Sequence, residues 1–225
     1  MTSTDHVPIS RTEWREWYAL GQQLTALDGV HSPSRFSALL AATMVDVEGL
    51  TVIDAGSGAG LITIAALAAG AEQVIAIDND PAAARATADN VASVMGREGS
   101  RRLATQVLDF TSLGEVPADL LAVNPPQRPT RILQAVEPDQ RHLHEGGGED
   151  GLATLRLVME HARTRVVRTT AADVLSVGTA RRDSERWSEP RLVRREELPM
   201  HASWVTLTGA LGHVAVWDFQ AREAG

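Results

Sequence analysis

The stretch VIDAGSGAGLITIA, residues 52–65, decides how the rest of the chain is read. A β-branched apolar run stops at Asp54, and an apolar helical run begins at Leu61. Between them stand Gly56, Gly58 and Gly60, where the missing Cβ lets the backbone turn tightly and lets a ligand come close. A dinucleotide-binding loop has the spacing G-x-G-x-x-G, but here the sixth position counted from Gly56 is Leu61. The spacing is D-x-G-x-G-x-G, with an acid leading it.

Working outward, the strand LTVIDAG is followed by the helix LITIAALAAG, closed by Gly70, and then by a second buried strand, QVIAID, ending at Asp78. The run PAAARATADNVASVMG carries Pro81 in its first turn and Gly96 at its end, and Asn79 and Asp80 precede it as candidate caps. LATQVLD reads as a third strand, DLLAVN as a fourth, GLATLRLVMEHARTR as a helix and DVLSVG as a fifth strand. Regular alternation from residue 50 to about 180 predicts right-handed βαβ units and a parallel sheet covered on both faces. The tail offers RLVRREEL, SWVTLTGAL and HVAVWDFQ as further strands, the last two predicted to pair antiparallel across Gly209–Gly212.

Ahead of the glycine loop, residues 9–27 read as a helix with Ser10 as its cap, placing Trp14, Trp17 and Tyr18 on one face. A break at GVHSPSRF leads to a short amphipathic helix reaching about Val45. Residues 1–48 are therefore expected to form an N-terminal helical cap over the active site, and 49–225 the catalytic domain.

Composition narrows the chemistry. The chain has 225 residues and no cysteine, which excludes disulfides, thiolate metal sites and a thiol nucleophile. Its net charge is −8 and all 21 basic residues are Arg, so a polynucleotide partner is disfavoured. The histidines show no HExxH spacing, and His142 and His144 alone make a poor metal site. No apolar run approaches the ~20 residues that span a bilayer, and the polar N-terminus gives a cytoplasmic location as the default expectation.

The loop DAGSGAG followed by AIDND resembles the class I S-adenosylmethionine-dependent methyltransferases, closely over residues 50–178 and loosely in the tail. The resemblance implies a Rossmann-like, seven-stranded, mostly parallel sheet with helices on both faces and an antiparallel C-terminal hairpin. It implies S-adenosylmethionine as cofactor. Asp54 and Gly56 would hold its methionine end, Asp78 its ribose hydroxyls, and Asp109 its adenine amino group with Phe110 alongside; Gly58, Gly60, Asn79 and Asn124 are counted with the cofactor contacts, Asn124 beside the methyl group.

The fourth strand ends in NPPQ, residues 124–127, beyond the carboxyl end where ligands of such sheets bind. This is similar to the Asn-Pro-Pro-Tyr branch, whose members methylate planar nitrogens of adenine, cytosine or glutamine. There the Asn oxygen and the first proline's carbonyl accept hydrogen bonds from the target amino group, so Asn124 and Pro125 carry those roles here. Rigid prolines would keep both acceptors aimed at one atom. Gln127 replaces the stacking tyrosine.

That departure, the acidic charge and the aromatic N-terminal helix favour a small aromatic or heteroaromatic acceptor, methylated at nitrogen or ring carbon. Trp14, Trp17, Tyr18 and Gln127 are then the expected substrate contacts. Tyr18 and His31 are the candidate bases, and Gln127 is counted with the catalytic residues. A protein glutamine amide or a nucleic-acid base is the alternative acceptor, and an inactive cofactor-binding partner subunit is the alternative of another class. GGGEDGL, residues 146–152, resembles the GG-acid-DG loop ahead of the fifth helix in the release-factor glutamine methyltransferases, and reads equally as a glycine turn in which Asp150 caps a helix, the reading preferred.

Overall fold

The computed structural model describes residues 13–133, 146–181 and 184–222. Ser10, His142 and His144 lie outside them. Seven strands form one sheet: β1 (Thr51–Ala55), β2 (Gln73–Asp78), β3 (Leu103–Val107), β4 (Leu120–Val123), β5 (Val166–Ala172), β6 (Arg191–Pro199) and β7 (Leu211–Gln220). Their spatial order is β3-β2-β1-β4-β5-β7-β6, with β1 to β5 parallel and β7 antiparallel to both its neighbours. The order reverses between β1 and β4, which opens a crevice at their carboxyl ends.

The helices are α1 (Trp14–Gly21), α2 (Arg35–Ala41), α3 (Leu61–Ala68), α4 (Pro81–Arg101), α5 (Thr130–Leu133), α6 (Ala153–His161) and α7 (Val205–Thr208). Neighbouring residues of β1 divide between two apolar cores. Val52 packs on one face with α1, α2, α3 and Val91 of α4, and Ile53 on the other with Leu155, Val158 and Met159 of α6. Burial on both faces is why the central strands read as continuous apolar runs.

Several local predictions are corrected. The fifth strand is VVRTTAA, not DVLSVG, which forms a turn and a short 3-10 helix. Polar letters hid it. Arg168 is buried in mid-strand because Asp218 of β7 accepts from its Nε at 2.8 Å and Asp46 from Nη1 at 2.7 Å. Burial works against its charge, yet these hydrogen bonds hold its pKa above the ordinary value. Thr43 adds a backbone carbonyl at 2.6 Å, so this arginine also ties the segment after α2 to the sheet.

The run SWVTLTGAL is not a strand. It turns through a 3-10 helix and α7, and the antiparallel pair is β6 with β7. The expected break at Gly96 is present as a kink (φ 63°, ψ −153°), but helical structure resumes beyond it to Arg101.

Candidate active site

A cavity of about 980 Å³ opens at the carboxyl ends of the parallel strands. Its wall is built from the loops after β1, β2, β3 and β4, from residues 29–37, and from the β6–β7 connection. The volume accommodates a nucleoside-sized cofactor together with an acceptor group.

The glycine loop is shaped by a buried acid. Asp54 Oδ2 accepts from the Thr63 amide at 2.9 Å and from its hydroxyl at 2.7 Å, which pins the start of α3 to the end of β1. Asp54 does not line the cavity, although the sequence reading gave it a direct hold on the cofactor. It is fully buried, and its Oδ1 has no partner. Burial pushes its pKa up to about 6, against the two Thr63 hydrogen bonds and with help from the negative charge of Asp78.

Gly56, Gly58 and Gly60 all have positive φ (76°, 53° and 84°), which explains the residue type at each. A Cβ at Gly60 would come within 3.1 Å of Thr87, and one at Gly56 would meet the Phe110 ring at 3.6 Å. Asp78 ends β2 and accepts from the Gly58 amide at 3.0 Å with one oxygen and from the Asp80 amide at 3.0 Å with the other. Asp80, rather than Asn79, caps α4, accepting from the Ala82 amide at 2.7 Å. Asp109 accepts from the Thr111 amide at 2.9 Å, which together with the Thr111 side chain holds its pKa below the ordinary value. Asp78, Asn79, Asp109 and Phe110 all line the cavity.

These groups suit S-adenosylmethionine. The loop offers bare backbone to a ligand, the strand-end carboxylate of Asp78 can accept from ribose hydroxyls, and Phe110 gives an apolar ring beside an acid able to accept from an amino group.

Across the crevice, Asn124 is held from two sides. Its Oδ1 accepts from the Thr170 hydroxyl at 2.7 Å, and its Nδ2 donates to the Ser37 hydroxyl at 3.1 Å. The hydroxyls come from β5 and α2, so the amide can turn only if one of them yields. A carbonyl oxygen has a second lone pair, which leaves Oδ1 able to accept once more from the cavity side. Ser37 and Thr170 were missed by sequence reasoning. Ser37 reads as part of a capping box with Ser34, which it also forms, and Thr170 lies in the strand whose polar letters hid it.

Gln127 is a correction. Its Nε2 donates to the Thr170 carbonyl at 3.2 Å and its Oε1 accepts from the Ala172 amide at 2.9 Å. Both ends of the amide are engaged by β5, just beyond the last β4–β5 pair, Val123–Thr169. The side chain therefore extends the sheet and anchors the proline segment at the cavity wall, so its amide is fixed by β5 rather than free to swing toward a substrate. The glycine turn 146–151 presses on the same segment. A Cβ at Gly147 would lie 2.3 Å from the Arg128 carbonyl oxygen, and one at Gly151 2.5 Å from that of Gln127. Asp150 accepts from the Leu152 amide at 3.1 Å and pairs with Arg156.

Trp14 and Trp17 are corrected too. Both are buried in the core with Leu20, on the face of α1 turned toward α2 and α3, and neither reaches the cavity. Tyr18 is half-buried, lines the cavity and lies under the Arg35 guanidinium at 5.0 Å. His31 lines the cavity as well. Its Nδ1 lies 2.6 Å from the Ser32 carbonyl, which can only accept, so the proton is on Nδ1. Burial lowers its pKa, opposed by Ser32 and assisted by the positive charge of Arg128. Arg128 and His201, neither of them singled out in the sequence, complete this side of the wall with Phe36 and Trp204, whose rings stack at 6.2 Å.

Residues 29–124 match the family described as Ribosomal protein L11 methyltransferase (PrmA). The ribosomal protein L11 methyltransferase of Pectobacterium atrosepticum is 31% identical over 165 residues, covering 73% of this chain and 46% of that protein. The release factor glutamine methyltransferase of Geobacter sulfurreducens is 31% identical over 158 residues, covering 64% of this chain and 54% of that protein. The chain thus spans about half the length of these curated relatives. Among solved structures, a putative RNA methyltransferase from Pyrococcus horikoshii superimposes with a TM-score of 0.56 at 18% identity, over 94% of this chain and 99% of that one, a likeness of fold.

These relatives overturn the expected small aromatic acceptor and partner, because their names are those of protein methyltransferases. Two of the grounds for that expectation weaken with it: Trp14 and Trp17 are core, and the Gln127 amide bonds to β5 at both ends. No helix among the described residues is long and apolar enough to cross a membrane.

Proposed function

We propose that this chain, which has the fold of the class I S-adenosylmethionine-dependent methyltransferases, transfers a methyl group to a planar nitrogen of a protein. S-adenosylmethionine supplies an electrophilic methyl carbon on a sulfonium that departs as a neutral thioether. Gly56 and Gly58 would cradle it, with Gly60 packed on Thr87 to shape the turn, while Asp78 would accept from its ribose and Asp109 and Phe110 would flank its adenine. Residues 1–48 would act as a cap, a role supported by Tyr18, His31 and Ser37 at the cavity.

The observation that carries the reading is Asn124, clamped between Ser37 and Thr170 at the crevice with an oxygen still able to accept. An amide N–H donating to that oxygen would be held with its nitrogen lone pair turned to meet the methyl carbon in line. For an amide this draws the nitrogen out of conjugation with its carbonyl. In the transfer the C–S bond would break as the C–N bond forms, and the proton lost from the nitrogen would pass to water. Because both hydroxyl partners are already in place, aligning the acceptor costs little reorganisation. The similarity to the Asn-Pro-Pro-Tyr branch supports an amide; the resemblance to ribosomal protein L11 methyltransferases supports a protein substrate in general.

The test is a label-partition assay. Purified protein and methyl-labelled S-adenosylmethionine are incubated with extract of the encoding organism, and the products are divided into small molecules, nuclease-sensitive polymer and protease-sensitive polymer. Label is expected in the protease-sensitive fraction. Label only in small molecules or nuclease-sensitive polymer refutes the proposal.

A further inference from the structure

Arg128 follows Asn-Pro-Pro-Gln directly and is half-buried in the cavity wall. Its Nε is sealed from solvent and meets no acceptor, and among the described residues its guanidinium makes neither a hydrogen bond nor an ion pair. Other arginines in similar settings are matched. Arg168 has Asp46 and Asp218, and Arg156 has Asp150. Arg102 and Arg186 also have sealed Nε atoms, but each places another guanidinium nitrogen on a backbone carbonyl, Ala71 at 2.9 Å and Thr164 at 3.4 Å.

Burial lowers the Arg128 pKa to about 10, and no carboxylate among the described residues offsets it. The side chain remains charged at neutral pH, so a desolvated positive charge faces the cavity with its donors unmatched. Such a charge is costly unless something brings the counter-charge. The two imidazoles that feel it, His31 and His201, have pKa values lowered by burial and by Arg128 itself, so neither adds a competing positive charge at neutral pH.

Position says whose counter-charge it is. The groups suited to the cofactor follow β1, β2 and β3, whereas Arg128 follows β4 and His201 follows β6, on the other side of the sheet's reversal point. A guanidinium fork matches a carboxylate with two parallel hydrogen bonds. Two cavity arginines, Arg128 and the Arg35 stacked on Tyr18, on a chain of net charge −8 do not make a track for a polyphosphate backbone.

We infer that Arg128 receives a carboxylate of the acceptor, so that the methylated residue lies beside an acidic side chain or a chain terminus of the substrate protein. This rests on the protein-acceptor reading above. Its failure is distinguishable, because the label-partition assay does not depend on Arg128.

The experiment measures binding of short peptides to the full chain saturated with S-adenosylhomocysteine, for the native protein and Arg128→Met. The probes are acetyl-Glu-Gln-Gly-amide, acetyl-Gln-Gln-Gly-amide and acetyl-Gln-Gln-Gly with a free C-terminus. A preference of about 10-fold or more for a charged peptide over the neutral amide is expected in the native protein and lost in the variant. Which charged peptide is preferred identifies the carboxylate as side chain or terminus. Arg128→Met is expected to keep or raise the melting temperature, since it removes an unmatched charge; a lowered one would mark a structural role and overturn the inference.

Equal binding of charged and neutral peptides by the native protein overturns it, as does a preference that survives in Arg128→Met. Two further arms locate a wrong source. If the variant weakens S-adenosylhomocysteine but not 5′-methylthioadenosine, which lacks the amino acid group, the carboxylate is the cofactor's. If a single-stranded RNA oligonucleotide binds and loses affinity in the variant, the counter-charge is phosphate. Either result refutes the acceptor assignment.

Discussion

Asp54→Asn makes a pH experiment out of the glycine loop. The native carboxyl is fully buried, accepts twice through Oδ2 from Thr63, and leaves Oδ1 without a partner. Its pKa rises from 3.8 to about 6 on folding. Between these values the folded state holds a proton that the unfolded state has released, so stability falls as pH rises through the window. The contribution is fully present below 3.8 and is lost above about 6. The difference of 6 − 3.8, about 2.2 units, corresponds to about 3 kcal/mol.

Asparagine can keep both Thr63 hydrogen bonds through its own oxygen, and it has no proton to lose. Urea unfolding of the native chain and of Asp54→Asn, from about pH 4 to about pH 7.5, should show the variant gaining about 2.4 kcal/mol relative to the native protein across that range, the remainder lying below pH 4. Asp46, Asp119 and Asp150 have lowered pKa values, so their stabilisation is lost as pH falls, below the usual carboxylate value. They are common to both proteins and cancel. A constant difference between the two proteins across the range would refute the argument and mean that Asp54 is ionised throughout.

Three other substitutions read out other contacts. Thr170→Val removes the hydroxyl that donates to Asn124 Oδ1; turnover should fall about 10-fold with S-adenosylhomocysteine affinity unchanged, and stability should drop by about 1 kcal/mol, as kinetics, calorimetry and urea unfolding would show. Gln127→Glu sets a carboxylate against the Thr170 carbonyl in a buried site, so about 2–4 kcal/mol should be lost at neutral pH. Because burial raises the folded pKa of that new acid, part of the stability should return as pH falls, when the protonated acid can donate as Gln127 does. Arg168→Met takes both Asp46 and Asp218 off their shared cation and should cost about 3–5 kcal/mol in chemical unfolding, with partial recovery when Asp218→Leu is added.

Much of the site was legible because it depends on local rules. Glycines that need positive φ, the acid Asp78 at the end of β2, Asp109 just past β3, and a proline pair after a buried strand can each be read from neighbours in sequence. The misreadings have a common cause in long-range partners. β5 was missed because Arg168 looks unfit for a buried strand until Asp46 and Asp218, 122 and 50 residues away, are seen to neutralise it. Gln127 reads as an altered substrate contact until the amide is found on Thr170 and Ala172, 43 and 45 residues later. Trp14 and Trp17 share helical spacing with Tyr18, and spacing alone cannot say which side of the stripe meets α3 and which the cavity.

The sequence by itself determined the alternation of strands and helices, the turn that exposes bare backbone after β1, and the acid at the end of β2. Each follows from conformational limits within a few residues: φ at glycine, the fixed ring of proline, and apolar periodicity. Tertiary structure alone decided that Asn124 is clamped by Ser37 and Thr170, that Gln127 bonds to the sheet, and that Arg128 meets no counter-charge among the described residues. Those facts depend on which polar groups meet after the sheet closes, and water is no longer there to satisfy the ones that do not.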